Sequence, residues 1–414
     1  MRTAARLRAL TATPLAQNTL ALYAVGLAAY MFPLLTAPYL ARVLRPEGWG
    51  RVALAQGAGQ MLVIVVEYGF LLSATREIAR LEVPGRAAVL GSVLGAKAVL
   101  ALVVVVLAAA VGAWVPALAD DRALLWGAVF WAVAHGFHPL WYFQGRERVR
   151  PLLVMDLTAG AVAIAGVLWT CRVPADAWKV LAWQGGAAAA VAIGGYALAA
   201  RETAPRRPSL AAIGARLASG AHLFAYRAAA ALYTVANPVV LGLVAPAAVV
   251  GYFAGAEKIV KALFLAGINP LNQALYPRAS RLVGGSADAA GLTRRTVAVF
   301  AVLGTVSGAA VFVSAPLLVR VLLGPEYGPA IAPLRVLAVL LPILSVTTAL
   351  VTMRVLPAER DRALLGITIA AGVLNVALAT QLAPRYGQMG MAAAVVTTEA
   401  AVLAAVWRAV RAPR

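Results

Sequence analysis

The sequence predicts an all-α polytopic membrane protein, with about twelve transmembrane helices in two pseudo-symmetric six-helix bundles. Three observations carry that reading. The 414-residue chain is 62% hydrophobic, with mean hydropathy +0.84 and only 13% charged residues. An ordinary soluble domain is about half apolar and about a quarter charged. Apolar runs of about 20 residues, the length that crosses a bilayer as a helix, recur along nearly the whole chain. They do not alternate polar with apolar residues as barrel strands do, so helices are the expected element. The two halves of the chain also resemble each other.

The first expected span, 17–41, follows Arg2, Arg6 and Arg8. No small-residue cleavage site follows a short apolar core, so it reads as an uncleaved span and not a signal peptide. The second span, 52–74, carries Gln56, Gln60 and Glu67. At about 100° per residue these lie within roughly 40° of one another. They form a polar stripe, either a hydrogen-bonded seam between helices or the lining of an aqueous cavity. The third span, 88–113, holds Lys97.

The fourth span, 123–143, follows the doublet Asp120-Asp121, which reads as a solvated turn. His135 and His138 stand at i, i+3 on it, suited to packing, interfacial contact or a proton relay. No third ligand lies nearby in sequence to make a metal site. Trp131, Trp141, Tyr142 and Phe143 read as an interfacial belt. The fifth span, 152–170, holds Asp156 and ends at Cys171, the lone cysteine, which excludes an intrachain disulfide. The sixth covers 178–199.

The basic, proline-containing stretch "RETAPRRPSLAAIGAR" (201–216) then divides the chain. The expected domains are an N-terminal bundle over 1–200, a cytoplasmic linker over 201–218 and a C-terminal bundle over 219–414. The seventh span, 221–244, carries Arg227. The eighth, 250–276, carries Glu257, Lys258, Lys261, Asn269 and Asn272. On a regular helix Lys258, Lys261, Asn269 and Asn272 fall within about 80°, and Pro270 is a candidate kink. The last four spans are 296–319, 331–353, 363–382 and 389–408, the final one with Glu399.

Basic residues set the orientation. With the N-terminus inside, about 23 Lys and Arg residues fall in cytoplasmic segments and about 8 outside. The net charge of +20 is thus a matter of topology, and no stretch interleaves bases and aromatics as a nucleic-acid surface does. An even span count puts both termini in the cytoplasm.

The halves match at several places in register. "ERVRPLL" (147–153) and "ERDRALL" (359–365) both fit E-R-x-R-x-L-L, Pro38 and Pro46 recur as Pro238 and Pro246, and "REIARL" (76–81) faces "PRASRL" (277–282). This supports a duplicated bundle with parallel repeats.

Eight ionisable residues fall inside expected spans: Glu67, Lys97, Asp156, Arg227, Glu257, Lys258, Lys261 and Glu399. Each costs about 2.5–3.5 kcal/mol in lipid at mid-span, so they must face an interior or one another. Fixed cations in a cavity suit an anionic substrate, and a carboxylate there can carry a coupling proton or sodium. The chain holds no G-x-x-x-x-G-K-[ST], no H-E-x-x-H and no G-x-S-x-G, which excludes ATP hydrolysis and the commonest hydrolase chemistries.

"APYLARVLRPEGWGRVALAQ" (37–56), "VEYGFLLSATREIARL" (66–81) and "WYFQGRERV" (141–149) resemble the O-antigen and polysaccharide repeat-unit flippases of the multidrug/oligosaccharidyl-lipid/polysaccharide exporter superfamily. The likeness continues through "VVGYFAGAEKIVKALFLAGINPLNQALYPRASRL" (249–282) and "LGPEYGPAIAPLRVLA" (323–338). The resemblance implies two six-helix bundles around a central cavity. It implies a non-enzymatic carrier that moves a polyprenyl-pyrophosphate-linked oligosaccharide to the outer leaflet by alternating access. The driving force would be an H+ or Na+ gradient, with no other cofactor. Glu67, Asp156, Glu257 and Glu399 are the expected cavity or ion-coupling residues. Arg76, Lys97, Arg227, Lys258, Lys261, Gln56, Gln60 and Asn269 are the expected substrate contacts. Localisation is the inner membrane, as a monomer, beside a polysaccharide polymerase and a chain-length regulator, with no nucleic acid. The rival readings are a drug or cation antiporter of the same superfamily and a membrane glycosyltransferase or polymerase. Short external loops count against the enzyme.

Overall fold

The computed structural model describes residues 14–114, 121–268, 271–272, 287–358 and 360–411. Helices joined by short turns make up these residues, with no strand among them. Eight helical stretches among them are long and apolar enough to cross a membrane: Thr36–Arg80, Val83–Ala110, Arg122–Gly145, Arg150–Thr170, Pro174–Glu202, Gly291–Leu323, Pro325–Val355 and Arg362–Arg411. The protein is an all-α, multi-pass membrane protein. The first and last of these run 45 and 50 residues. Each covers parts of two expected spans and each is interrupted. Expected spans 221–244 and 250–276 appear as shorter helices.

Two compact units divide the chain. One holds the described residues up to Thr36 together with Ala58–Ala228, and the other holds Ala37–Gly57 together with the described residues from Ala229 onward.

In the first unit, helix α1 (Pro14–Glu67) ends where Tyr68 and Gly69 take positive φ, and α2 (Phe70–Arg80) begins. The second expected span therefore breaks at 68–69. Phe70, Ala74 and Ile78 recur every four residues on α2 and are buried. They pack with Val89, Leu90 and Val93 of α3 (Val83–Trp114). Asp121 caps α4 (Arg122–Gly136) by accepting from the Leu124 N–H at 3.1 Å, as a turn aspartate should.

The fourth expected span also breaks. Pro139 has no N–H to continue α4, and the chain restarts as the short α5 (Leu140–Gly145). This overturns the interfacial-belt reading for Trp141, Tyr142 and Phe143. All three are buried in the core with Phe70 and Ile78. Trp141 Nε1 donates to Tyr196 Oη at 3.2 Å, and Tyr142 Oη donates to Thr203 Oγ1 at 2.9 Å. An aromatic run at a helix break fills a core when its polar tips find partners.

Helix α6 (Arg150–Thr170) closes on buried Cys171, and α7 (Ala177–Glu202) follows. Only 203–209 of the basic linker lie outside helices, since α8 (Leu210–Thr234) starts at once. The linker is bound to its unit: the Arg206 N–H donates to the Ala87 carbonyl at 3.1 Å, and Arg216 pairs with Glu77.

In the second unit, α1 is broken at Arg45 (φ 58°, ψ 173°). Arg45 precedes Pro46, and the residue before proline is driven out of the helical region. Around this break the Arg42 guanidinium donates to the Val321 carbonyl, Tyr327 Oη donates to the Ala41 carbonyl at 3.1 Å, and Arg45 lies 3.8 Å from Glu326. Next come α9 (Asn237–Val244) and α10 (Ala247–Leu263). The remaining helices are α11 (Ala287–Leu318), α12 (Ile331–Ala338), α13 (Leu340–Leu350) and α14 (Asp361–Arg411). α14 folds back at Gly387, for a Cβ on Gly390 would lie 2.2 Å from the Leu382 carbonyl oxygen.

One crossing explains why 37–57 belongs to this unit. A Cβ on Gly50 would lie 1.7 Å from the Ala247 oxygen, and one on Gly251 would lie 2.0 Å from the Pro46 oxygen. The two backbones touch through reciprocal glycines, as apolar helices do when packing alone must hold them. Gly251→Ala is expected to lower stability by about 1–3 kcal/mol through overpacking, read as a reduced Tm in detergent. Gly214→Ala, where a Cβ meets open space, should leave Tm unchanged or raise it.

Candidate functional site

Glu67 sits at the end of α1, and its carboxylate turns onto the start of α2. It accepts from the Leu71 N–H at 2.7 Å and the Gly69 N–H at 3.2 Å, and it meets Arg227 Nη1 at 2.5 Å. The first N–H groups of a helix lack intrahelical partners and favour an anion. A guanidinium and two backbone donors thus surround the Glu67 carboxyl group. Arg227 comes from α8, on the far side of the sequence, but within the same unit.

Lys97 is fully buried, at 0% exposure. Its ammonium donates to the Gly136 carbonyl at 2.6 Å, at the end of α4. Beyond that break His138 Nε2 lies 2.9 Å from Asp156 Oδ1, while Asp156 Oδ2 is buried with no donor among the described residues. His135 packs between Trp131 and His138, with ring centroids 5.9 and 6.0 Å away. Arg76 is exposed on α2. Its neighbour Glu77 is held by Arg216, which also reaches Ser92 Oγ at 3.1 Å.

In the second unit Lys258 Nζ donates to Gln56 Oε1 at 3.1 Å and stands 3.9 Å over the Trp49 ring. Buried Glu257 takes Lys261 at 2.9 Å and the Asn237 amide at 3.2 Å. Lys261 also donates to the Thr234 carbonyl at 3.2 Å. Glu399, on the second arm of α14, is half-buried and makes no ion pair among the described residues. Asn269 lies outside the described residues.

Gln56, Gln60 and Glu67 lie on one uninterrupted stretch of α1 after Arg45. Gln56 serves Lys258 in one unit, and Glu67 serves Arg227 in the other, with half-buried Gln60 also in the latter. The two intramembrane ammoniums that touch no carboxylate are Lys97 and Lys258 among the described residues. Lys97 is sealed, whereas Lys258 is half-buried. Three intramembrane carboxylates, Glu67, Asp156 and Glu257, face a basic side chain; Glu399 does not. No group of three His, Cys, Asp or Glu side chains converges among the described residues.

Sequence reading passed over Asn237, Asn375 and Thr398. All are buried, and Asn237 Oδ1, both polar atoms of Asn375 and Thr398 Oγ1 have no partner among the described residues. Their signal was a lone polar residue within an apolar run, which charge-seeking overlooks.

Residues 15–283 match the family model described as polysaccharide biosynthesis protein. A protein of Escherichia coli (strain K12), named as a candidate O-antigen transporter, is 27% identical over 393 residues, covering 94% of each chain. A protein of Shigella dysenteriae with the same name is 25% identical over 401 residues, 95% of this chain and 100% of that one. Two solved structures share the fold. The lipid II flippase MurJ in its inward closed conformation has a TM-score of 0.73 at 11% identity, over 96% of this chain and 87% of that one. An inward-facing multidrug resistance MATE family transporter has a TM-score of 0.67 at 16% identity, over 91% and 92%.

Removing one partner of a partly buried ion pair leaves the other charge uncompensated. Arg227→Ala is expected to cost about 1–3 kcal/mol, between the surface and buried limits. The double variant Glu67→Gln/Arg227→Ala should recover part of that loss. Thermal unfolding of the purified variants measures both.

Proposed function

This chain belongs to the polysaccharide biosynthesis protein family, and from that premise we propose that it is a flippase. Its substrate is a polyprenyl-pyrophosphate-linked oligosaccharide, the repeat unit of an O-antigen or of a capsular or exopolysaccharide. It carries this from the cytoplasmic to the outer leaflet by alternating access driven by an H+ or Na+ gradient. The observation that carries the reading is similarity from end to end with two proteins named as candidate O-antigen transporters. The basic bias of the inside segments favours the cytoplasmic membrane, with both termini in the cytoplasm. A polysaccharide polymerase and a chain-length regulator are the fitting neighbours for a monomeric carrier.

Lys258 supports an anionic cargo. Its ammonium is held by an amide oxygen and an indole face, so its charge is left for an incoming phosphate, with which an ammonium makes a charge-assisted bond. In the first unit, Arg76, exposed beside the Glu77–Arg216 pair, is a cation suited to a phosphate at the cytoplasmic end of its helix. Lys97 is sealed against its carbonyl and is assigned to structure. A drug or cation antiporter would need an acidic site where Lys258 stands.

In a bacterium lacking its own repeat-unit flippase, this chain is expected to restore surface polysaccharide and clear the cytoplasm-facing lipid-linked precursor. Lys258→Gln should reach the membrane in normal amount yet bind substrate roughly tenfold to a hundredfold more weakly, the worth of one charge-assisted bond. Accumulated precursor alongside a well-inserted wild-type protein, tested with the native glycan, would remove the reading.

A further inference from the structure

We propose that the crease between α11 and the α12–α13 pair is a binding site for an anionic phospholipid of the surrounding bilayer, with the phosphate on Arg335 and one acyl chain along the groove. The site lies within the second unit and is independent of the cargo that the chain carries.

Two prolines shape the crease. Pro316 lies inside α11 and has no N–H, so the carbonyl four residues back, on Phe312, loses its helical donor. Pro342 does the same to the Ala338 carbonyl, where α12 passes into α13. The two open carbonyls are met differently. A Cβ on Gly308 would lie 2.9 Å from the Ala338 oxygen, so that oxygen packs on the bare face of α11. The Phe312 oxygen accepts from Arg335 Nε at 3.3 Å, and the guanidinium carbon stands 5.4 Å from the centre of the Phe312 ring. Arg335 on an apolar span thus takes the place of a missing helical donor.

One bond to a carbonyl does not neutralise the charge. The two Nη groups of Arg335 make no hydrogen bond and no ion pair among the described residues. Neither α12 nor α13 carries an acidic residue, and the acid on α11, Asp288, is at its opposite end. Glu326, in the turn before α12, faces Arg45. A guanidinium inside a span needs an anion or water. Its two Nη nitrogens form the fork that takes two oxygens of a phosphate.

The groove beside this fork is apolar. A space of about 340 Å³ is lined by Thr305, Ala309, Phe312 and Val313 of α11, with Val339 and Pro342 across from them. Phe312, Val313 and Val339 are 50%, 77% and 47% exposed. They lie in stretches long and apolar enough to cross a membrane, so what covers them is the bilayer. A lipid enters such a lateral opening directly from the membrane, and phospholipid outnumbers any carried lipid there. In the turn Val319–Leu323, exposed Arg320 lies about 12 Å further along at the rise of a helix. It gives a second cation toward the end of the span, where basic side chains draw anionic headgroups.

The test is photolabelling of the purified full chain in phosphatidylcholine nanodiscs doped with phosphatidylglycerol that carries a diazirine in one acyl chain. Label is expected on the peptides holding Val313 and Val339, roughly tenfold above that from the matching phosphatidylcholine probe, the worth of one charge-assisted bond. Both probes should label exposed Ile193 of the first unit alike. Ala309→Phe fills the groove from an exposed position and should abolish the preference; Ala310→Phe, exposed but outside the groove, should keep it. Arg335→Met alone strips the Phe312 carbonyl of its donor and should lower Tm. Pro316→Ala returns an N–H to that carbonyl, so Pro316→Ala/Arg335→Met should regain Tm and still lack the preference. A preference that persists in this double variant, or equal labelling by the two probes in the wild type, would overturn the proposal. So would displacement of the label by a polyprenyl phosphate better than by unlabelled phosphatidylglycerol, which would give the groove to the tail of a carried lipid. Labelling needs no transport, so its result is distinguishable from failure to restore polysaccharide.

Discussion

A charge among apolar helices has to be met by an opposite charge, by a dipole or by a proton, and both compact units are organised by that requirement. The same holds for backbone groups, which in a bilayer cannot turn to water when a helix stops. Here the two demands answer each other. The first N–H groups of α2 are served by Glu67, the last carbonyl of α4 by Lys97, and the Thr234 carbonyl before the gap between α8 and α9 by Lys261. At these three interruptions a charged side chain meets the backbone groups that the helix leaves open.

That feature separates structural charges from available ones. Glu67 drew attention as an acid in an apolar run, yet its bonds give it the duties of a helix cap and an ion pair. Lys97 is sealed on its carbonyl. Lys258, held by an amide oxygen and an indole face, touches no carboxylate among the described residues.

Hydropathy made the all-helical membrane class legible, because span length follows from bilayer thickness. The family likeness was legible in polar residues kept in order between the apolar runs. The interruptions were harder. Tyr68-Gly69 carries no proline, and its positive φ angles arise where Glu67 turns to serve α2, which only tertiary contact reveals. Pro139 was visible, but an aromatic run beside it fits both a membrane interface and a core. The burial of Trp141 depends on Tyr196, 55 residues away. Gln56 and Glu67 share a helical face by arithmetic, but the break between units falls at Gly57 and Ala58, and periodicity says nothing of that.

The reciprocal crossing of Gly50 and Gly251 sets an order on biosynthesis. Gly251 leaves the ribosome about 200 residues after Gly50, an interval of roughly 10–40 s at about 5–20 residues per second. Throughout it the segment 37–57 is already made but its glycine face has no helix to rest on. The rest of its own unit is synthesised last, so this segment waits while the first unit is completed. Any quality-control factor that recognises an unfilled glycine seam in the membrane would have that long to act on the nascent chain.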